Sequence, residues 1–162
     1  TNMVVLEGTT GSAPAIDRAT GFGSAIQGTQ IKTLDSQTGN FTRADGKTVM
    51  EGFLQKYGKT INLLFAQNDD MGLGALDAIK AAGLTPGKDI QIVTIDGTHD
   101  GLTALSQGEF NYVVECNPLL GDKVASVVKD VLAGKKVDKA YTAVDGAFDQ
   151  AQATAALPTR KY

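Results

Sequence analysis

Ile61-Asn62-Leu63-Leu64-Phe65-Ala66-Gln67-Asn68-Asp69-Asp70-Met71-Gly72-Leu73-Gly74-Ala75-Leu76-Asp77-Ala78-Ile79-Lys80-Ala81-Ala82-Gly83 changes its period in the middle. From Ile61 to Ala66 the residues are almost continuously apolar, as in a short strand covered on both faces. From Met71 onward, Leu73, Leu76, Ile79 and Lys80 keep the three-and-four spacing of an amphipathic helix. Gly83 stands where a helix stops in the left-handed conformation, and Leu84-Thr85-Pro86-Gly87 reads as the turn that follows. The stretch is one strand-to-helix unit with four polar residues, Gln67 to Asp70, at its junction.

The same alternation recurs on both sides. Apolar runs at Met3 to Leu6, Ile31 to Leu34, Ile61 to Ala66, Ile90 to Ile95 and Tyr112 to Val114 alternate with helical segments. The helices are expected at Ala13 to Ile26, Ala44 to Tyr57, Met71 to Ala82 and His99 to Ser106, with a fifth at Leu119 to Leu132 after the last run. Pro14 fits the first turn of its helix after Ser12 as N-cap, and Thr42 fits the cap of the next. Five such strands joined by four helices predict an α/β fold with a doubly wound, open parallel sheet. After Pro118 the pattern loosens into a helix carrying Val124, Val127, Val128 and Val131, a brief apolar run at Tyr141 to Val144, and an alanine-rich tail, together an appended strand-and-helix piece.

Composition narrows the function. The 162 residues are 42% hydrophobic and 20% charged, a length that fits one globular domain. The net charge of −3 and the scattering of the 15 Lys and Arg leave no basic patch for nucleic acid. No run of about 18 apolar residues occurs, and no basic segment leads into an apolar one at the start, so neither a membrane span nor a signal peptide is expected in these residues. One cysteine, Cys116, and one histidine, His99, exclude an internal disulfide and supply too few soft ligands for catalytic zinc. No cofactor is expected.

In open parallel sheets, ligands sit beyond the carboxyl ends of the strands. Here those positions are Glu7-Gly8-Thr9-Thr10, Asp35-Ser36-Gln37, Gln67-Asn68-Asp69-Asp70, Asp96-Gly97-Thr98 and Glu115-Cys116-Asn117, an edge rich in carboxylates and amides. Such groups suit the neighbouring hydroxyls of a polyol when an aromatic ring is at hand for its apolar face. They equally suit helix caps, and both readings stand at this point. The Gly8 loop lacks the Gly-Lys-Ser/Thr ending of a phosphate loop and the three-glycine spacing of a dinucleotide site, so it reads as a turn. Gly72 and Gly74 read as positions where the helix approaches the sheet closely. No Gly-x-Ser-x-Gly elbow occurs, His99 reads as a surface residue at a helix start, and Asp69-Asp70 as charges at a helix N-terminus.

Phe65-Ala66-Gln67-Asn68-Asp69-Asp70-Met71-Gly72-Leu73-Gly74-Ala75 followed by Thr94-Ile95-Asp96-Gly97-Thr98-His99-Asp100-Gly101 resembles the paired signature of periplasmic sugar-binding proteins of the ribose and galactofuranose type, which feed ABC importers. Val4 to Gly8, Ala15 to Phe22, Gly39 to Arg43 and Glu115 to Pro118 occur in the order of that family, and Ala156 to Tyr162 resembles the end of its galactofuranose-type members. The resemblance implies a Rossmann-like three-layer α/β/α lobe of a type I periplasmic binding protein, no enzymatic activity, and a monosaccharide such as galactofuranose or a related pentose or hexose as ligand. It implies that Arg18 hydrogen-bonds sugar hydroxyls, that Phe41 stacks on the sugar, and that Asn68 and Asp96 grip hydroxyls from two strand ends. Without the resemblance, Arg18 would pass as an exposed helix charge and Phe41 as a hydrophobic staple before Thr42. Ribose-type members have glutamine where this chain has Cys116, which points away from ribose, and Glu115 is the better hydrogen-bonding candidate there.

Members of that family are two-lobed and about twice this length. Residues 1–117 correspond to the C-terminal sugar-binding lobe. Residues 118–162 correspond to the crossover helix, strand and tail that would pack on the N-terminal lobe, leaving the valine stripe to be disordered, folded back or paired with a second copy. The resemblance further implies a membrane ABC permease as partner and a periplasmic location. A different class remains open at this stage: the effector-binding lobe of a lactose-repressor-type transcription regulator, which has the same fold.

Overall fold

The apolar runs need cover on both faces, and the chain supplies it with helices on the two sides of one sheet. The structure, a computed structural model, describes all 162 residues. Its strands are β1 (Asn2–Glu7), β2 (Lys32–Thr38), β3 (Leu63–Ala66), β4 (Gln91–Asp96), β5 (Tyr112–Glu115) and β6 (Ala147–Phe148). The helices are α1 (Ala13–Ala25), α2 (Arg43–Tyr57), α3 (Asp69–Ala81), α4 (His99–Ser106), α5 (Gly121–Leu132) and α6 (Gln150–Ala156). The sheet runs β2-β1-β3-β4-β5-β6, parallel except for the antiparallel β6. The order reverses direction at β1, so the crevice between the carboxyl ends of β1 and β3 is the topological switch point.

Alternate residues of each central strand feed two cores, as the two-residue repeat requires. Met3, Val5, Leu63 and Phe65 face α1, where the Phe22 ring stacks on Phe65 at 3.9 Å between centroids. Val4, Leu6, Leu64 and Ala66 face the larger core with Met50, Phe53, Met71, Ile79, Leu102 and Leu105. Burial of each large side chain contributes about 1.5–3 kcal/mol, so this second core holds most of the fold's apolar stabilisation.

The two glycines of α3 face different neighbours. A Cβ at Gly72 would meet the Thr94 methyl at 2.6 Å, the expected close approach to the sheet. A Cβ at Gly74 would lie 2.0 Å from the Arg43 carbonyl, and one at Gly46 2.6 Å from Met71 Cα, so Gly74 serves the crossing of α2 and α3 and not the sheet. Gly83 ends α3 as expected, at φ +74°, with the Leu84 amide reaching back to the Ile79 carbonyl. Thr42 caps α2 by accepting from the Asp45 amide, whereas Ser12 donates its hydroxyl to the Thr9 carbonyl and caps nothing with its side chain.

Two expectations need correction. Asp35-Ser36-Gln37 lie inside β2, paired with Val4, Val5 and Leu6, because an edge strand tolerates polar residues on its open side; the true loop after β2 is Gly39 to Thr42. Tyr141 to Val144 form no strand, since the free edge of β5 is taken by Ala147 and Phe148 instead. Residues 118–162 accordingly divide. Helix α5 buries none of its residues and leaves Val124, Val128, Val131 and Leu132 exposed. From Asp145 the chain returns to the sheet: β6 pairs with β5, Asp149 and Gln152 form a capping box, and Ala153 of α6 is fully buried in the larger core. No helix is long and apolar enough to cross a membrane.

Candidate functional site

Four side chains from four elements converge at the carboxyl edge of β3 and β4. Asn68 lies just beyond β3 and caps α3: its Oδ1 accepts from the Met71 amide at 3.0 Å, and its Nδ2 donates to the Phe41 carbonyl at 3.2 Å. One amide thus fixes both the helix start and the β2–α2 loop. The cap reading holds for Asn68, which still has one N–H and one lone pair free of protein partners. It does not hold for Asp96, because Thr98 is the residue that caps α4.

Backbone strain gathers here. Asn40 and Phe41 have φ of 52° and 61°, and Asp96 has φ of 134°, the only non-glycine residues at positive φ. Such conformations cost of order 1–3 kcal/mol each and persist where surroundings over-determine them. Asn40 is held by Thr38 and Asp45, and the Phe41 ring lies directly on Gly8, where a Cβ would come within 1.9 Å of the ring. Gly8 therefore makes room for the aromatic platform.

Arg18 projects from α1 toward the same edge. It donates to the Gln67 carbonyl and to Asp96 Oδ1 at 3.1 Å, and its guanidinium carbon lies 5.6 Å from the Phe41 ring centre. Side-chain exposure is 17% for Arg18 and 27% for Asp96, so the pair is shielded yet open on one side. Asp96 Oδ2 takes no hydrogen bond from the protein. Burial pushes the Asp96 carboxyl up to about 6, against the lowering charge of Arg18 and with a further raising contribution from Asp69.

Two residues that sequence reasoning did not name as site residues hold this arrangement. Gln67, fully buried, accepts from the Gly8 amide at 2.8 Å and donates to the Ala15 carbonyl at 3.1 Å, locking the β1–α1 loop to the end of β3. Asp69, expected as a charge at a helix N-terminus, does stand in the first turn of α3 but is wholly buried: it accepts from Thr94 Oγ1, the Thr98 amide at 2.7 Å and Thr98 Oγ1 at 2.9 Å. Burial raises its carboxyl, and those hydrogen bonds oppose the rise. Asp70, also in the first turn, is exposed and bridged by Arg43 at 3.0 Å. Position at a strand end was the only signal for either residue, and it does not tell a buried brace from an open contact.

Glu115 does not join the four. Its Oε1 accepts from Arg160 and from the Tyr162 hydroxyl, both at 2.6 Å, and its Oε2 accepts from the Gly146 amide at 2.7 Å. Burial, which would raise its carboxyl, is outweighed by the hydrogen bonds from Tyr162, Arg160 and Gly146, and the group sits below the usual carboxylate range. His99 is exposed at the first turn of α4, as expected.

A ring, a guanidinium, a carboxylate with a free oxygen and an amide at one edge offer the chemistry that a small polyhydroxylated ligand needs. The family described as periplasmic binding protein domain matches residues 1–136. The chain is 46% identical to the fructose import binding protein FruE of Bifidobacterium longum over 99% of its own length, and 50% identical to the galactofuranose-binding protein YtfQ of Escherichia coli over 72%. It spans 49% and 38% of the lengths of those two relatives. A Mycobacterium smegmatis protein solved in complex with β-D-fucofuranose superposes with a TM-score of 0.92 at 57% identity, across 98% of this chain and 52% of that one. Sequence and fold therefore agree, and the chain belongs to the periplasmic binding protein family.

Proposed function

We propose that this chain forms one lobe of a sugar-binding component of an ABC importer, and that Arg18, Phe41, Asn68 and Asp96 are its half of the sugar site. The observation that carries the reading is the convergence of these four side chains at the carboxyl edge of the sheet, with Asp96 Oδ2 free to accept. Phe41 supplies the apolar platform, Arg18 donates, Asp96 accepts, and the Asn68 amide does both. The names of the relatives, which are import and furanose-binding proteins, favour a furanose or similar monosaccharide and favour transport over the regulator alternative. Glu115 acts as an anchor for the C-terminal segment instead of a sugar contact, since both its oxygens are engaged.

The whole protein would then close a second lobe over this edge, work in the periplasm and present its closed form to a membrane permease. Residues 118–144 fit that picture, with the exposed stripe of α5 available to the other lobe or to a second copy. Catalysis has no part in the proposal. An isolated half-site with half the contacts of a roughly micromolar parent binds in about the millimolar range. The test is an amide NMR titration with D-fructose, D-fucose, L-arabinose, D-galactose and D-ribose to tens of millimolar, on the order of that estimate. Saturating shifts at Arg18, Phe41, Asn68 and Asp96 are expected; a well-dispersed spectrum that no sugar perturbs would refute a preformed half-site.

A further inference from the structure

The C-terminal segment does more than close the sheet. Arg160 is nine-tenths buried, its guanidinium carbon 5.3 Å from the Phe148 ring centre and 4.1 Å from that of Tyr162. From this slot Nε donates to the Gly97 carbonyl and Nη1 to Glu115 Oε1. The main-chain oxygen of Tyr162 accepts from the His99 amide at 2.6 Å, so the same segment grips the β4–α4 loop on both sides of Thr98. Gly97, at φ +74°, has no room for a side chain there: a Cβ would lie 2.5 Å from Arg160 Nη2. Across the ladder Asp96 pairs with Glu115, and the Cys116 amide donates to the Asp96 carbonyl at 3.0 Å. Asp96 is thus flanked by a loop whose next carbonyl and third amide are both held by residues 160–162.

We propose that residues 157–162 are a strap that positions Asp96 for the sugar, with Arg160 as its positioning residue: one guanidinium joins the Gly97 carbonyl to the Glu115 carboxylate and fixes the strained turn that aims Asp96 at Arg18. The proposal rests on the reading of Asp96 as a sugar contact. Arginine suits the task because its planar fork donates in two directions from one rigid group, whereas a lysine ammonium is a point charge on a flexible stem. Asn68 and Phe41 belong to the other half of the site and do not depend on the strap, since their bonds run to each other and to α3. The hydrogen bonds and ring contacts of Arg160 run to Gly97, Glu115, Phe148 and Tyr162.

The decisive variant is Arg160→Lys in the 162-residue chain, which keeps a charge beside Glu115 but loses the bridge. Amide resonances of Gly97, Thr98 and His99 are expected to move, those of Phe41 and Asn68 to stay, and the carboxyl titration of Asp96 to shift upward as its alignment with Arg18 loosens. Affinity for the tightest sugar of the panel is expected to fall about tenfold, the scale of one charge-assisted hydrogen bond lost. A merely structural role would lower the melting temperature and leave the Asp96 titration where it is. Unchanged Gly97 to His99 resonances, an unchanged Asp96 titration, or shifts spread evenly through the core would each overturn the strap. If the wild-type chain binds no sugar, the half-site reading fails and the strap is judged on resonances and titration alone. If Arg160→Lys does not fold, deletion of Tyr162, which removes the main-chain oxygen that holds the His99 amide and the ring beside the Arg160 guanidinium, carries the same test with the same loop and the same carboxyl as readouts.

Discussion

Replacing Gly74 by alanine sets helix propensity against packing. In an exposed helix interior the change stabilises by about 1 kcal/mol, because glycine loses more backbone entropy on folding. At Gly74 the new methyl would lie 2.0 Å from the Arg43 carbonyl oxygen and 2.9 Å from the Lys47 nitrogen, the first more than an ångström short of the 3.4–4 Å of ordinary contact. Both neighbours are backbone of α2, so no rotamer change relieves them, and α2 and α3 must part. Overpacking costs about 1–3 kcal/mol, and rigid backbone on both sides places Gly74 at or above the upper end. After the propensity gain, a net loss of about 2 kcal/mol is expected, or roughly 4–8 °C in melting temperature for a chain of this size. Gly52, also inside a helix but with nothing within 4 Å of a built Cβ, is the internal control: Gly52→Ala should gain about 0.5–1 kcal/mol. Urea unfolding of both variants, read from midpoints at constant slope, gives the comparison. A Gly74→Ala midpoint raised as far as that of Gly52→Ala would refute the crossing argument. Because α3 carries Asn68 at its cap, the displaced helix should also weaken any sugar titration of the wild-type chain.

Other changes follow from the site. The Asp96 carboxyl is raised from 3.8 to about 6, so its ionisation costs the fold nothing below the lower value and an increasing amount as pH rises through the upper one. That cost reaches roughly 3 kcal/mol at neutral pH. Asp96→Asn should therefore be about 1–3 kcal/mol more stable than wild type at pH 7 and no more stable near pH 4, while losing sugar binding; urea midpoints at the two pH values check the sign. Asn68→Ala removes the α3 cap and the tie to the Phe41 carbonyl, and a loss of about 1–2 kcal/mol is expected by chemical denaturation. Val124→Ser and Val128→Ser lie on a helix that buries nothing, so each should change stability by less than about 0.5 kcal/mol, and a loss above 1 kcal/mol in calorimetry would show that α5 is covered in solution.

The strand-and-helix alternation was legible because a parallel sheet buried on both faces writes itself as continuous apolar runs, and helices between them as a three-and-four repeat. The caps at Thr42 and Asn68 and the stop at Gly83 are local events fixed by neighbours three to five residues away, and they too can be read from a line of residues. The candidates Asn68 and Asp96 came from strand-end placement joined to a family likeness, Arg18 and Phe41 from the likeness alone, and folding brings all four to one edge. What needed tertiary structure was every role set by a distant partner. Asp69 and Asp70 are identical in kind and adjacent, yet one is a buried brace for a loop 25 or more residues away and the other an exposed ion pair. Glu115 carries the same chemistry as a sugar contact, but residues 146, 160 and 162 reach it first. Ala147 and Phe148 become the sixth strand only because β5 offers a free edge, and Tyr141 to Val144, equally apolar, do not. A side chain's type fixes what it can bond; which partner it meets depends on the closing of long loops, and that distance is not written in the residues on either side of it.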